Sequence, residues 1–407
     1  MELPLAAAAI RPLLFHPLRP VSVEPSPDLP WPEFATPAIL ALLTGEERKP
    51  VRAACRAGRD AVDAGITRLE LEEMRNWGGG QRATPWASVR IEPVRLPALR
   101  HLDLCRCSSD WIWAHHGAAH MRGAARLVAA HAASLLTLSL SFYITPRPES
   151  HRKRAALERG FLESVLLAAP LPALRRLDVQ VGCPTRNRKA RCLESLSPLA
   201  RLSLPSLTRL SLWAEAATGQ GVRWLEGAHL PALRHLEVRD SYFRPEQSCA
   251  AALAAPRWSA LESLELGGYS SDSGGMAVLS AALAPTLRRL VVSLWPFGTE
   301  GCAEEWPQLR SLEANALPEH LGPVRLPRLE RLAVRGGDSL RGLAARRAAL
   351  PALRVVELQR CCYCCGSGYC PVVGCTRKET VELLEELQAA WPGLELRRQR
   401  PNDWTQA

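Results

Sequence analysis

Six of the thirteen cysteines fall in one short run, CCYCCGSGYCPVVGC at 361–375. Thiols packed this densely can do three things. Four of them, as thiolates, can surround a zinc ion tetrahedrally with Zn–S distances of about 2.3 Å. They can pair as disulfides, or they can stay unligated in a reducing compartment. The residues alone leave all three open. Two of the three glycines in the run, Gly366 and Gly368, let the chain wrap back on itself.

Other constellations are weaker. In HHGAAHMRGAARLVAAH, His116 and His120 stand one helical turn apart, with His131 three turns further on. A metalloprotease helix needs a glutamate beside the first histidine as base, and Gly117 occupies that place. A solvated helix face is the expectation there. No Gly-x-Ser-x-Gly elbow, phosphate-binding loop or dinucleotide fingerprint occurs. The glycines at 78–80 precede no helical pattern. The expectation is a protein that is not an enzyme.

The net charge of +10 reads first as a nucleic-acid signal, yet 47 of the 51 basic residues are arginine in a chain rich in Ala, Pro and Gly. That is the imprint of coding bias, and a binding patch needs clustering as well as a total. No apolar run is long enough to span a membrane. The start, MELPLAAAAIRPLLFHPLRP, has an acidic Glu2 and no basic region ahead of its apolar run, unlike a signal peptide. Thirteen cysteines without such a signal suggest a reducing compartment, the cytoplasm or nucleus.

What must position any of these groups is a repeat. LPALRHLDL (96–104) returns as LPALRRLDV (171–179), LPSLTRLSL (204–212), LPALRHLEV (230–238) and LPALRVVEL (350–358). Looser copies are WSALESLEL (258–266), APTLRRLVV (284–292), WPQLRSLEA (306–314) and LPRLERLAV (326–334), and SLLTLSL (134–140) and ITRLEL (66–71) keep the shorter core. The frame is Leu-x-x-Leu-x-Leu. Its last two leucines point to one side of a short strand, and a single unit cannot bury that edge. Stacked units can, as a parallel sheet lining the inside of an arc. Segments between them read as helices over His151–Ala168, Glu246–Ala254, Met276–Ala284 and Leu340–Ala349, each followed by a proline.

This pattern resembles the leucine-rich-repeat family over roughly 66–396. The resemblance implies an α/β solenoid, a curved parallel sheet with helices and loops on its convex side. Spacings of 20 to 39 residues between equivalent leucines imply irregular outer loops. The family's Asn/Cys position, three after the last leucine, is met by Cys107 and Cys361. With Cys361 given to the repeat, Cys362, Cys365, Cys370 and Cys375 keep the intervals of the zinc knuckle, with Cys370 where that family has His. Tyr363 and Gly366 agree with it, whereas Tyr369 replaces a glycine. The resemblance implies one zinc on those four sulfurs, in an insert before a helix opened by the capping box Thr376–Glu379 and running to Ala390. Cys364 is spare.

Ahead of the repeats, LPWPEFATPAILALLTGEERKPVRAACRAGRDAV (29–62) resembles an F-box, the helical segment that docks substrate receptors on the adaptor subunit of cullin-RING ubiquitin ligases. Leu29, Pro30, Ile39, Leu43 and Cys55 carry the match and are the implied adaptor contacts. Arg48, Ala54 and Gly58 stand where the family has an apolar residue, Val and Trp. The plainer alternative is a helical cap over the first repeat. The implied organisation is a tail at 1–28, the F-box-like segment at 29–65, the solenoid at 66–396 and a tail at 397–407.

Strand residues alternating with the leucines should face the inside of the arc. Two columns emerge over ten strands. The first holds His101, Arg176, Arg209, His235, Arg289 and Arg331; the middle one holds Asp103, Asp178, Glu237, Glu265, Glu313 and Glu357. One reading is a self-satisfied surface of cross-strand and diagonal ion pairs, each worth about 0–1 kcal/mol. The other is a site for a partner protein, anchored by Trp213 and Arg239, residue types that dominate interface energetics. The acidic column argues against nucleic acid on this face. A nucleic-acid interface would instead use the cysteine loop with Arg360, Arg377, Lys378, Arg397, Arg398 and Arg400. A scaffold role, for example in a cytoskeletal assembly, is a further alternative.

Overall fold

The computed structural model describes residues 65–73, 96–109, 122–145, 151–182, 192–214, 227–239, 258–267, 281–292, 305–314, 324–335, 343–359 and 377–398. The F-box-like segment and the cysteine run lie outside them.

The Leu-x-x-Leu-x-Leu frame folds as its period dictates. Each copy begins in a tight turn: the N–H of Leu99 donates to the carbonyl of Leu96 at 3.1 Å, and the N–H of Leu353 to that of Leu350 at 3.2 Å. Proline in the second place of these turns supplies the fixed φ they need. The chain then enters a strand. Twelve strands result: β1 (Arg68–Glu73), β2 (His101–Ser109), β3 (Thr137–Thr145), β4 (Arg176–Gly182), β5 (Arg209–Ala214) and β6 (His235–Arg239). They continue as β7 (Ser263–Gly267), β8 (Arg289–Val292), β9 (Ser311–Ala314), β10 (Arg331–Arg335), β11 (Val355–Gln359) and β12 (Glu395–Arg398).

All twelve form one open sheet in chain order, every neighbouring pair parallel. This is the α/β repeat-solenoid architecture that the repeat predicts. The strands are joined at their starts by a shared device. The carbonyl of Arg100 accepts from the N–H groups of both Leu136 and Thr137, at 2.8 and 3.0 Å. The carbonyls of Leu136, Arg175, Thr208, Arg234, Glu262, Arg288, Arg310 and Glu330 do the same for the next strand. One doubly used acceptor per repeat fixes the register at the turn, before any side chain packs.

The register aligns the leucines as a ladder. Leu102, Leu138, Leu177, Leu210, Leu236, Leu264, Leu290, Leu312 and Leu332 lie side by side, all buried. Each such side chain removed from water contributes about 1.5–3 kcal/mol. Trp258, Trp306 and Trp391 take the leucine place that opens the turn and are buried too. Helix α1 (His151–Leu166) closes part of the other side with Phe161, Leu162, Val165 and Leu166, and it lies against a 3-10 segment, Cys192–Arg201.

Several elements differ from expectation. Of Leu340–Ala349 the described residues are 343–349, and Ala344–Ala349 forms a 3-10 helix where an α-helix is expected. Of the expected helix Met276–Ala284, residues 281–284 are described, helical at 281–283 and in a turn at 284, and Glu246–Ala254 lies outside the described residues. His131 does not sit on a solvated face. It is buried, at the end of a helical stretch over 122–131 whose Ala124, Leu127 and Val128 share its apolar stripe. His116 and His120 lie outside the described residues. Helix α2 (Arg377–Ala390) is where the capping box predicts a helix.

After α2 the chain adds β12, which the repeat pattern did not reveal. Trp391, Pro392, Gly393 and Leu394 form its turn, the Leu394 N–H donating to the Trp391 carbonyl at 3.1 Å. Gly393 has φ +92°, so proline then left-handed glycine makes a type II turn.

Candidate protein-interaction face

Register puts the residues between the leucines into columns on the open face of the sheet. The first column runs Arg68, His101, Thr137, Arg176, Arg209, His235, Ser263, Arg289, Ser311, Arg331, Val355 and Glu395. The third runs Glu70, Asp103, Ser139, Asp178, Ser211, Glu237, Glu265, Val291, Glu313, Ala333, Glu357 and Arg397. Every residue read from the sequence as belonging to this face stands in one of these columns or in the fifth.

The columns interlock most over β5–β8. Arg209 reaches diagonally to Glu237 at 3.5 Å. Arg239 bonds Glu237 in its own strand and Glu265 in the next, the latter at 2.8 Å from Nη2 and 3.0 Å from Nε. Arg289 faces Glu265 from the other side at 3.7 Å. The result is a chain of five charges that begins and ends with arginine. Elsewhere the pairs are local. Arg176 bonds Asp178 at 2.6 Å, Arg331 bonds Glu357 through Nε at 3.1 Å and through Nη2, and His101 Nδ1 lies 3.1 Å from Thr137 Oγ1. Asp103 stands between Glu70 and Ser139. Glu313 lies between Val291 and Ala333 and makes no ion pair among the described residues. So the sequence residues do not form one site: β5–β8 brings Arg209, Trp213, His235, Glu237, Arg239 and Glu265 together, and the others lie elsewhere along the sheet.

Depth separates the two charges. In the β5–β8 chain the carboxylate side chains of Glu237 and Glu265 are 13% and 16% exposed, whereas those of Arg209, Arg239 and Arg289 are 47–49% exposed. The longer arginines lie over the shorter acids. Burial pushes the Glu265 carboxyl above its usual range, with Glu237 adding to that and Arg239 and Arg289 opposing it. His235, between Arg209 and Ser263 in the first column, is held below the ordinary imidazole range. Partial burial is the main cause, and the cations Arg209, Arg289 and Arg234 add to it against Glu262.

Trp213 completes this region. It sits in the fifth column of β5, between Gln180 and Arg239, and is 42% exposed, the only large hydrophobic residue so exposed among the described residues. Gln180 is itself fixed by a hydrogen bond from Ser141 Oγ at 3.2 Å.

One charged column was missed by sequence reasoning. The residue just ahead of the first column carries Arg234, Glu262 and Arg288, linked at 2.7 and 3.7 Å, and then Arg310 and Glu330 at 3.5 Å. Its signal was present in the repeated phrase LPALR, where an arginine follows the leucine at 100, 175, 234 and 354. The implied zinc ligands Cys362, Cys365, Cys370 and Cys375, and the implied adaptor contacts Leu29, Pro30, Ile39, Leu43 and Cys55, lie outside the described residues. Among the described residues, no group of three or more His, Cys, Asp or Glu is disposed to hold a metal, and no helix is long and apolar enough to cross a membrane.

No family model and no curated protein matches the chain. Among solved structures, a structural-genomics target from Bacteroides fragilis covers 76% of this chain and 76% of its own, at 13% identity and a TM-score of 0.37. At that level the likeness carries no argument, and the fold rests on the sheet itself.

Proposed function

We propose that this chain is a non-catalytic interaction protein that holds a partner protein against the open face of its sheet. The observation that supports this is Trp213: a large aromatic left exposed in the middle of a patterned, ion-paired face, beside a half-exposed arginine. Aromatic and arginine anchors flanked by polar groups are what protein interfaces concentrate their energy in. The test is capture from lysate by the full chain and by Trp213→Asp. Partners held by the face are lost or cut at least about ten-fold in the variant. Undiminished capture overturns the reading.

Within that reading, the F-box-like segment makes the protein a substrate receptor that carries its partner to a cullin-RING ubiquitin ligase. The order F-box then repeats supports this, as do Leu29, Pro30, Ile39, Leu43 and Cys55. Replacing Leu29 and Pro30 with alanine abolishes co-purification with the ligase adaptor if this is right. Association that survives the change leaves the segment as a cap and the protein as a scaffold. The cysteine loop is proposed to hold one zinc on Cys362, Cys365, Cys370 and Cys375, supported by their spacing. Metal analysis of the purified protein then gives one zinc per chain, lost in Cys362→Ser with Cys365→Ser; a metal-free protein ends that proposal.

A further inference from the structure

The layering of charge over β5–β8 says more about the partner than the column composition does. Summed by column, acids and bases nearly cancel. By depth they do not: a molecule approaching the sheet meets guanidinium groups first, because Glu237 and Glu265 lie beneath Arg209, Arg239 and Arg289. The chain of pairs has three arginines for two carboxylates, so one positive charge is left over. Each carboxylate already faces two arginines and has little surface for a partner cation. The guanidiniums keep donors pointing outward, since each has five N–H groups and the ion pairs use only part of them. The rim column adds Arg234 and Arg288 with one glutamate, Glu262, between them. Beside this layer stands the exposed indole of Trp213, in register with Arg239.

We infer that the patch formed by Arg209, Arg239, Arg289 and Trp213 binds an acidic segment of a partner protein, its carboxylates on the guanidinium layer and an apolar side chain on the indole. The inference rests on the interaction reading above and names the chemistry of its partner. Protein is favoured over nucleic acid for two reasons. Single-strand binding uses several aromatic platforms, and among the described residues this face exposes one large aromatic. With three arginines against two carboxylates the patch also has a net charge of only about one, so it can neutralise few phosphates and displace few of the counterions condensed on a nucleic-acid backbone.

The buried glutamates give the test its direction. Three fluorescein-labelled probes are titrated with the full chain by anisotropy: a short peptide of glutamates around a central leucine pair, its lysine counterpart, and a single-stranded oligonucleotide of matching charge. The glutamate peptide should bind, more weakly as salt rises, and the lysine peptide and oligonucleotide should bind at least about ten-fold less well. Trp213→Ala, which leaves every ion pair in place, should weaken glutamate-peptide binding by about ten-fold or more. Glu237→Gln with Glu265→Gln keeps the shape of the floor and frees the guanidiniums, so it should tighten that binding several-fold. Preference for the lysine peptide, equal or better binding of the oligonucleotide, no binding of any probe, or weakening by the Gln pair would each overturn the inference. Partner capture that depends on Trp213 would then still stand, so the two failures are separable.

Discussion

Across β5–β7 the third column carries Ser211, Glu237 and Glu265, and across β8–β10 it carries Val291, Glu313 and Ala333. The frame, the register and the leucine ladder are the same in both stretches. In the first, each acid has an arginine on the diagonal or two residues away in its own strand, and the pairs fuse into one chain. In the second, Glu313 has Ser311 two residues before it, where Asp178 has Arg176, and it stays without an ion pair among the described residues. Fold therefore supplies the columns, and residue choice alone decides whether a column becomes a network. The apolar side of the sheet cannot vary in this way, since a gap there costs a cavity.

The largest predicted effect tests that division. Leu264 and Leu312 are buried rungs under the first and second stretch. Leu264→Ala and Leu312→Ala should each cost about 2–5 kcal/mol of stability, read from the denaturant midpoint. The two losses should agree to within about 1 kcal/mol, whatever lies on the open face. A much larger loss for Leu264 would mean that the ion-pair network and the core beneath it are one cooperative unit.

The next effect separates the stretches directly. Arg239→Ala removes the group shared by Glu237 and Glu265 and should cost about 1 kcal/mol, less in high salt. Glu313→Ala should lie within about 0.5 kcal/mol of the parent. Smaller again, Ser311→Arg recreates beside Glu313 the spacing of Arg176 and Asp178, 2.6 Å apart in β4, and should gain about 0.3–0.5 kcal/mol that salt removes. If Ser311→Arg gains nothing, same-strand spacing is insufficient and the diagonal partner is what matters.

How much of this was legible follows from what a period can carry. A two-residue alternation read from the leucines places His101, Arg209 or Glu357 in its column without any coordinates, because register is fixed by burial of one face. β12 escaped because its frame is one residue short. Leu353, Val356 and Leu358 are spaced three and two, whereas Leu394 and Leu396 are spaced two, and Glu395 alone takes the bond to the Arg354 carbonyl. His131 is buried where a solvated face is expected because it follows the apolar stripe of Ala124, Leu127 and Val128, which the histidine spacing does not encode. The layering of arginine over glutamate was hidden for a different reason. It depends on side-chain reach and on diagonal neighbours in other repeats, and a column written as letters has no depth. The sequence argument that an acidic column repels phosphate is weakened accordingly, and the case against nucleic acid now rests on the paired state of the arginines and on the single large aromatic exposed among the described residues.

The smallest effect expected is a pH dependence confined to the first stretch. His235 has its folded pKa lowered from 6.5, mainly by partial burial and then by Arg209. The unfolded chain therefore binds this proton more readily than the folded one. Between 6.5 and the lowered folded value, the unfolded state carries more protons, so stability falls as pH falls through that window and the loss is complete below it. Glu265 acts in the opposite sense. Its folded pKa is raised from 4.5, so the folded state takes its proton first, and stability falls as pH rises from 4.5 through the raised value. The two windows are separated by measuring differences. Parent minus His235→Asn, followed by denaturant midpoints from neutral pH downward, should show the variant losing less stability than the parent below about 6.5. Parent minus Glu265→Gln should show the parent gaining relative to the variant as pH drops towards 4.5. If the His235 difference is flat across its window, neither the partial burial of the ring nor the arginines beside it lower its pKa in the folded chain.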